Sequence, residues 1–159
     1  MSMTSSAERS VRIAQPVDAG AIARLLHDFN EEFHEPTPGP ERLTRRVREL
    51  LADGHITVLL IGAPPQGLAV LRFRPSIWTE GLECYLAELY VVSDGRGGGL
   101  GRALMNAAIK LARSRGADYM ELGTSEGDVA ARALYESLGF SNREGRPDGP
   151  LSFFYEREL

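Results

Sequence analysis

The run Arg96-Gly-Gly-Gly-Leu-Gly101 constrains this chain more than any other feature, because it joins a β-type stretch directly to an amphipathic helix. Residues 82–92 read as a strand and Ser93-Asp-Gly95 as a turn. Leu100, Leu104, Ala107, Ala108 and Leu111 then recur at helical spacing until Gly116, a plausible stop. A helix that opens on such a turn presents unsatisfied N–H groups and a partial positive charge, and both suit a pyrophosphate. Gly97, Gly98, Gly99 and Gly101 let a ligand approach the backbone, while Arg96 and Arg102 flank them with fixed charge. A P-loop needs Gly-Lys followed by Ser or Thr, and here Gly101 precedes Arg102-Ala103. A dinucleotide fingerprint in the register of Gly99 and Gly101 needs a small residue where Leu104 stands. Both alternatives fail on register.

Around this turn the pattern predicts a definite order of elements. Residues 11–14 form a short β-type run, and Ile22, Leu25, Leu26 and Phe29 are spaced as a helix opened by Pro16-Val-Asp18. Three prolines in Glu35-Pro-Thr-Pro-Gly-Pro40 stop it, and Leu43, Val47, Leu50 and Leu51 mark a second helix ending near Asp53-Gly54. Residues 55–61 and 68–74 read as a hairpin across Ala63-Pro-Pro-Gln-Gly67. A strand at 119–123, a helix at 129–138 ended by Gly139, a polar loop at 143–150 and a closing strand at 151–155 complete the chain. The order β-α-α-β-β-β-α-β-α-β predicts an α+β fold: a three-layer αβα sandwich with a mixed, mostly antiparallel central sheet flanked by helices.

Composition narrows the function. With 159 residues and 43% hydrophobic content, the chain can bury one substantial core, so residues 11–159 read as a single domain behind a flexible tail at 1–10. A net charge of -4 argues against nucleic-acid and anionic-membrane partners. The start lacks the apolar run of a secretory signal, and no stretch is apolar enough to span a bilayer, so the expectation is a soluble, cytoplasmic protein. Cys84 is the only cysteine, which leaves no intramolecular disulfide and no cysteine-based zinc site.

The turn resembles the acetyl-CoA motif R/Q-x-x-G-x-G/A of the GCN5-related N-acetyltransferase superfamily, with Arg96, Gly99 and Gly101 in its fixed positions. Asp128-Val-Ala-Ala-Arg-Ala-Leu-Tyr-Glu-Ser-Leu-Gly-Phe140 is similar to that family's N-x-x-A-x-x-L-Y-E-x-L-G-F segment, with Asp128 in place of Asn. Ser93 stands where many relatives carry Pro. The resemblance implies an N-acetyltransferase with acetyl-CoA as co-substrate and no metal. The acetyl group would pass directly, in a ternary complex, to a primary amine of a small molecule or peptide. It implies main-chain contacts from Leu89 and Val91 to the pantetheine arm, with Tyr90 between them among the cofactor-binding residues, and a cradle formed by Arg96, Gly97, Gly98, Gly99, Leu100, Gly101 and Arg102. It also brings Asp128 and Tyr135 towards the cofactor, although Asp128 reads equally as a helix N-cap. A homodimer is compatible with the resemblance. The alternative is a catalytically silent acyl-CoA-binding sensor or interaction module.

Two residues are candidates for the chemistry. An amine with a pKa of about 10.4 is protonated at pH 7, and freeing its lone pair costs about 4–5 kcal/mol, so a base is useful. Glu88 is the candidate, on the same strand face as Tyr90, while Tyr135 occupies the family position for the acid that meets the departing thiolate. A backbone N–H near Val91 would meet the developing oxyanion. Acceptor choice is expected in the first two helices, their loop and the hairpin. There the carboxylates Asp28, Glu31, Glu32 and Glu35 with His34 favour a cation, whereas Arg72, Arg74 and Trp78 favour a carboxylate or ring. Phe29, Glu32, Arg72, Trp78 and Glu88 are the candidate acceptor-binding residues.

Overall fold

Thr57–Ile61 (β2) and Gly67–Pro75 (β3) pair antiparallel, with Val58 opposite Val70 and Leu60 opposite Leu68. The computed structural model, which describes residues 10–159, adds Val11–Ile13 (β1), Leu82–Val91 (β4) and Ala117–Leu122 (β5) in the order β1-β2-β3-β4-β5. Every neighbouring pair is antiparallel except β4 and β5, which run parallel. The sheet is therefore mixed and mostly antiparallel, and the fold is α+β.

Period-two alternation gives the sheet two apolar faces. Ala19–Glu32 (α1) and Pro40–Ala52 (α2) cover one of them: Ile22, Leu25 and Val47 form a single core with Val58, Leu60, Leu68, Val70 and Tyr90. Leu100–Ser114 (α3) covers the other, burying Leu104, Met105, Ala108 and Ala112 over the face that carries Leu59, Ile61, Ala69 and Leu71. Removing a side chain such as Leu104 from water contributes about 2 kcal/mol. Gly67 permits the close approach of α3, since a Cβ there would lie 3.2 Å from Leu104 Cδ1 and 2.9 Å from the Tyr90 carbonyl oxygen.

The chain parts into two compact units, one ending at Leu122 and the other Gly123–Leu159. The sheet and α1–α3 belong to the first, and Val129–Ser137 (α4) to the second. The tail expected at 1–10 lies, apart from Ser10, outside the described residues. Among the described residues no helix is long and apolar enough to cross a membrane.

Element boundaries follow the sequence pattern, with two differences. Pro16–Asp18 is a single 3-10 turn, because the Asp18 N–H bonds to the Gln15 carbonyl, and the α-helix begins only at Ala19. The closing strand expected at 151–155 does not form. Leu151 makes one isolated bridge to Arg143, and no strand runs through residues 152–155. A strand needs a continuous ladder, and here the backbone bonds end with Glu144 N–H to Pro150 O and Ser152 N–H to Asn142 O. Phe153, Phe154 and Tyr155 are left 69–88% exposed.

Candidate active site

Strand β4 is the spine of the site. It pairs with β5 only from Leu82 to Leu86, opposite Ala117 to Leu122, whereas its pairing with β3 continues to Val91. Among the described residues, β4 therefore has a ladder neighbour on one side only from Glu88 to Val91. Leu89 and Val91, the predicted main-chain contacts, lie in that one-sided stretch, with Tyr90 between them. The Tyr90 side chain is turned into the core and stacks on Phe29 at 4.8 Å between ring centroids, and its carbonyl lies against Gly67 of β3, so the open side of the strand falls to the backbone of Leu89 and Val91.

The same strand contains a bulge. Leu86 pairs with Leu71 and Glu88 with Val70, which leaves Ala87 without a partner on β3. Glu88 and Tyr90 consequently share the face covered by α1 and α2, as expected, while Cys84 and Leu86 face α3. Glu88 is exposed, and enough protein still surrounds its carboxylate to push its pKa up, with the positive charge of Arg72 opposing. The exposure gives access, and the surrounding protein sets the direction of the shift. Cys84, fully buried, has its thiol pushed up to about 11 by the same desolvation and stays a neutral packing group.

After β4, Ser93–Gly95 makes a 3-10 turn and residues 96–99 lead into α3. Gly97 and Gly99 have φ of 83° and 84°, a region that L side chains rarely occupy. A Cβ at either would meet nothing within 4 Å, so the space beside them is open. Gly99, the N-cap residue of α3, makes no side-chain cap, and among the described residues the first turn Leu100, Gly101 and Arg102 opens on that uncapped end. The open space and the uncapped helix fit a diphosphate. The Gly97, Gly98, Gly99, Leu100 and Gly101 backbone would hold it, with Arg102 exposed alongside.

Arg96 is engaged by protein groups. Its Nε donates to the Val91 carbonyl at 3.0 Å and its Nη2 to Glu32 Oε2 at 2.6 Å. Its guanidinium carbon lies 5.7 Å from the Tyr90 ring centroid. The Tyr90 hydroxyl donates to Glu32 Oε1 at 3.2 Å, and burial followed by the Glu32 charge raises the Tyr90 pKa. Phe29 and Glu32 are thus brought to the end of β4. Arg72 sits near Glu88, but Trp78 does not: it lies past the Pro75–Leu82 pair, with 87% of its surface exposed, about 20 Å of strand from Glu88. Arg74 is held by Glu83 and Glu121, each at 2.6 Å. A cavity of about 180 Å³ lined by His55, Thr57, Phe73 and Arg115 is at the C-terminal end of α3, and Arg115 is already bonded to Thr57 at 2.7 Å.

In the second unit, Asp128 is the N-cap of α4, its carboxylate accepting from Ala131 N–H at 3.1 Å. Tyr135 is 8% exposed and packs edge-on against Phe140 at 6.1 Å. Burial, followed by the charge of Asp128, pushes its phenol up to about 12. Sequence reasoning missed the Ala87 bulge and the Glu32–Arg96 pair; the pair spans 64 residues and leaves no local signal.

The acetyltransferase (GNAT) family model matches residues 21–140. A protein from Arthrobacter sp. FB24, known from its crystal structure, is 46% identical and superposes with a TM-score of 0.86 over 94% of this chain and 96% of its own. Thialysine N-epsilon-acetyltransferase of Mus musculus is 29% identical over 171 residues, covering 96% of this chain and 95% of that protein. Similarity to mycothiol acetyltransferase of Thermobispora bispora is local: 48% identity over 65 residues, 39% of this chain and 22% of the relative's length. With a one-sided fourth strand, an uncapped glycine turn and a family match across most of its length, the chain belongs to the acetyltransferase (GNAT) family and is an N-acetyltransferase.

Proposed function

We propose that this enzyme acetylates a primary amine of a small, cationic molecule by direct transfer from acetyl-CoA. The observation that carries the reading is the one-sided stretch of β4 leading into the uncapped N-terminus of α3. Acetyl-CoA supplies the activated acyl group. The backbone of residues 97–101 holds its diphosphate, and Leu89 and Val91 align its arm along β4 by main-chain contacts. Glu88 Oε accepts the amine proton, directly or through water, and its raised pKa makes it a better base than an ordinary carboxylate. The role of Tyr135 rests on the resemblance of its segment. Its phenol, at about 12, lies above a thiol's pKa of about 8.5, so Tyr135 Oη keeps its proton and offers it as a hydrogen bond to the departing sulfur.

A cationic acceptor is favoured by Asp28, Glu31 and Glu35 along the end of α1 and its loop, and by the thialysine relative, whose name specifies an ε-amine. The test is thiol release from acetyl-CoA against a panel of amines, with mass analysis of the product. Acetylated diamines or amino-acid amines are expected. Calorimetry that detects no CoA binding by folded protein overturns the reading.

A further inference from the structure

Arg96 opens the glycine turn, yet the edge of its guanidinium best suited to a two-pronged phosphate contact is spent inside the protein. Nε is bonded to Val91 O and Nη2 to Glu32, so the charge is already matched by a carboxylate. Glu32 is equally committed: one oxygen accepts from Arg96 and the other from the Tyr90 hydroxyl. Both side chains are only partly exposed, 44% for Arg96 and 30% for Glu32. Phe29, one helical turn before Glu32, stacks on Tyr90 and meets Phe33 edge-on at 5.3 Å. The last turn of α1 is thus pinned to the end of β4 and the start of the turn by an ion pair, a phenol hydrogen bond and a ring stack.

We propose that Glu32 and Arg96 are positioning residues: together they clamp the acceptor-side end of α1 onto the cofactor turn, and neither acts as a ligand for phosphate or for the acceptor amine. The proposal rests on the functional reading above, since it assigns the clamp to setting where the amine meets the thioester. Diphosphate binding is left to backbone donors, which the clamp does not consume. Loss of either partner lets the end of α1 drift and weakens acceptor use, while CoA affinity holds.

The experiment compares wild type with Glu32→Gln, Arg96→Gln, the double variant and Arg96→Lys. CoA affinity is measured by calorimetry, acceptor kcat and KM by thiol release, and amide hydrogen exchange is followed across α1. Each single variant is expected to lower acceptor kcat/KM by about three- to fivefold, mainly through KM, the scale of a partly exposed ion pair. The double variant should be no worse than either single one. Exchange should quicken at residues 29–33, CoA affinity should stay within about twofold, and Arg96→Lys should recover part of the loss because it keeps the charge. Tighter CoA binding in Glu32→Gln would mean the arginine had been freed for phosphate, and would overturn the clamp. So would about tenfold weaker CoA binding in Arg96→Gln with α1 exchange unchanged. The exchange measurement needs neither amine nor turnover, so it judges the clamp even if the amine screen finds no acceptor.

Discussion

Leu86 and Glu88 are two residues apart on one strand and face opposite sides of the sheet. Leu86 pairs with Leu71 and Glu88 with Val70, so Ala87 absorbs the extra step. Without that bulge Glu88 would point with Cys84 and Leu86 under α3, where a carboxylate would have no partner and no route to an acceptor.

Glu88→Gln should leave CoA affinity unchanged and lower kcat by about 10²- to 10⁴-fold, the usual share of a general base. The pH profile gives a sharper readout. A base must be unprotonated, so the wild-type rate falls as pH drops through the Glu88 pKa, which burial places above the ordinary 4.5. That acidic limb should vanish in the Gln variant. An unchanged limb would assign it to another group.

Gly99→Val should weaken CoA binding by about tenfold or more while the protein stays folded. The left-handed backbone at 84° costs an L side chain about 1–2 kcal/mol, and the Cβ enters the open space beside the helix mouth instead of a packed core. Calorimetry with CoA and a thermal melt separate the two effects. Normal affinity in a folded variant would contradict the assigned cradle.

Tyr135→Phe should lower kcat by about 10- to 100-fold and leave acetyl-CoA binding nearly intact, because the hydroxyl acts on the departing sulfur. With the phenol pushed up to about 12, no loss of activity from its ionisation is expected below about pH 11. Steady-state thiol release across pH checks both statements, and an unaltered kcat would remove Tyr135 from the chemistry.

Asp18 governs acid stability. Arg12 donates to it twice, at 2.8 and 2.9 Å, and this pairing, helped by the Gln15 N–H, holds its pKa at about 2 instead of 3.8. Stability from a depressed carboxylate is complete above 3.8 and disappears as pH falls towards 2. Unfolding free energies of wild type and Asp18→Asn from urea titrations should differ by roughly 1 kcal/mol at pH 6, reduced because Arg12 is half exposed, and converge near pH 2. A gap independent of pH would mean that the pair contributes nothing through its charge.

Much of this architecture could be read from residue spacing. Helical periodicity at Ile22, Leu25 and Phe29, the proline break before α2 and the glycine turn before α3 are local signals, and each produced its element. Asp128 was readable as a cap from its place before Val129. The bulge was not, because Tyr85-Leu-Ala-Glu88 shows no departure from ordinary alternation and the slip exists only against β3. Nor was the engagement of Glu32, whose partners are Tyr90 and Arg96. The stretch at 151–155 failed differently: strand propensity was present, but a ladder partner was not.

The parting of β4 from β5 after Leu86 has a bearing on donor choice. A groove walled by peptide groups discriminates by amide spacing, so on the proposed function it recognises the carrier's handle and is indifferent to the cargo at its tip. Selectivity between short and longer thioesters must then be decided where the acyl tail ends, by side chains that can be exchanged without disturbing the grip on the carrier.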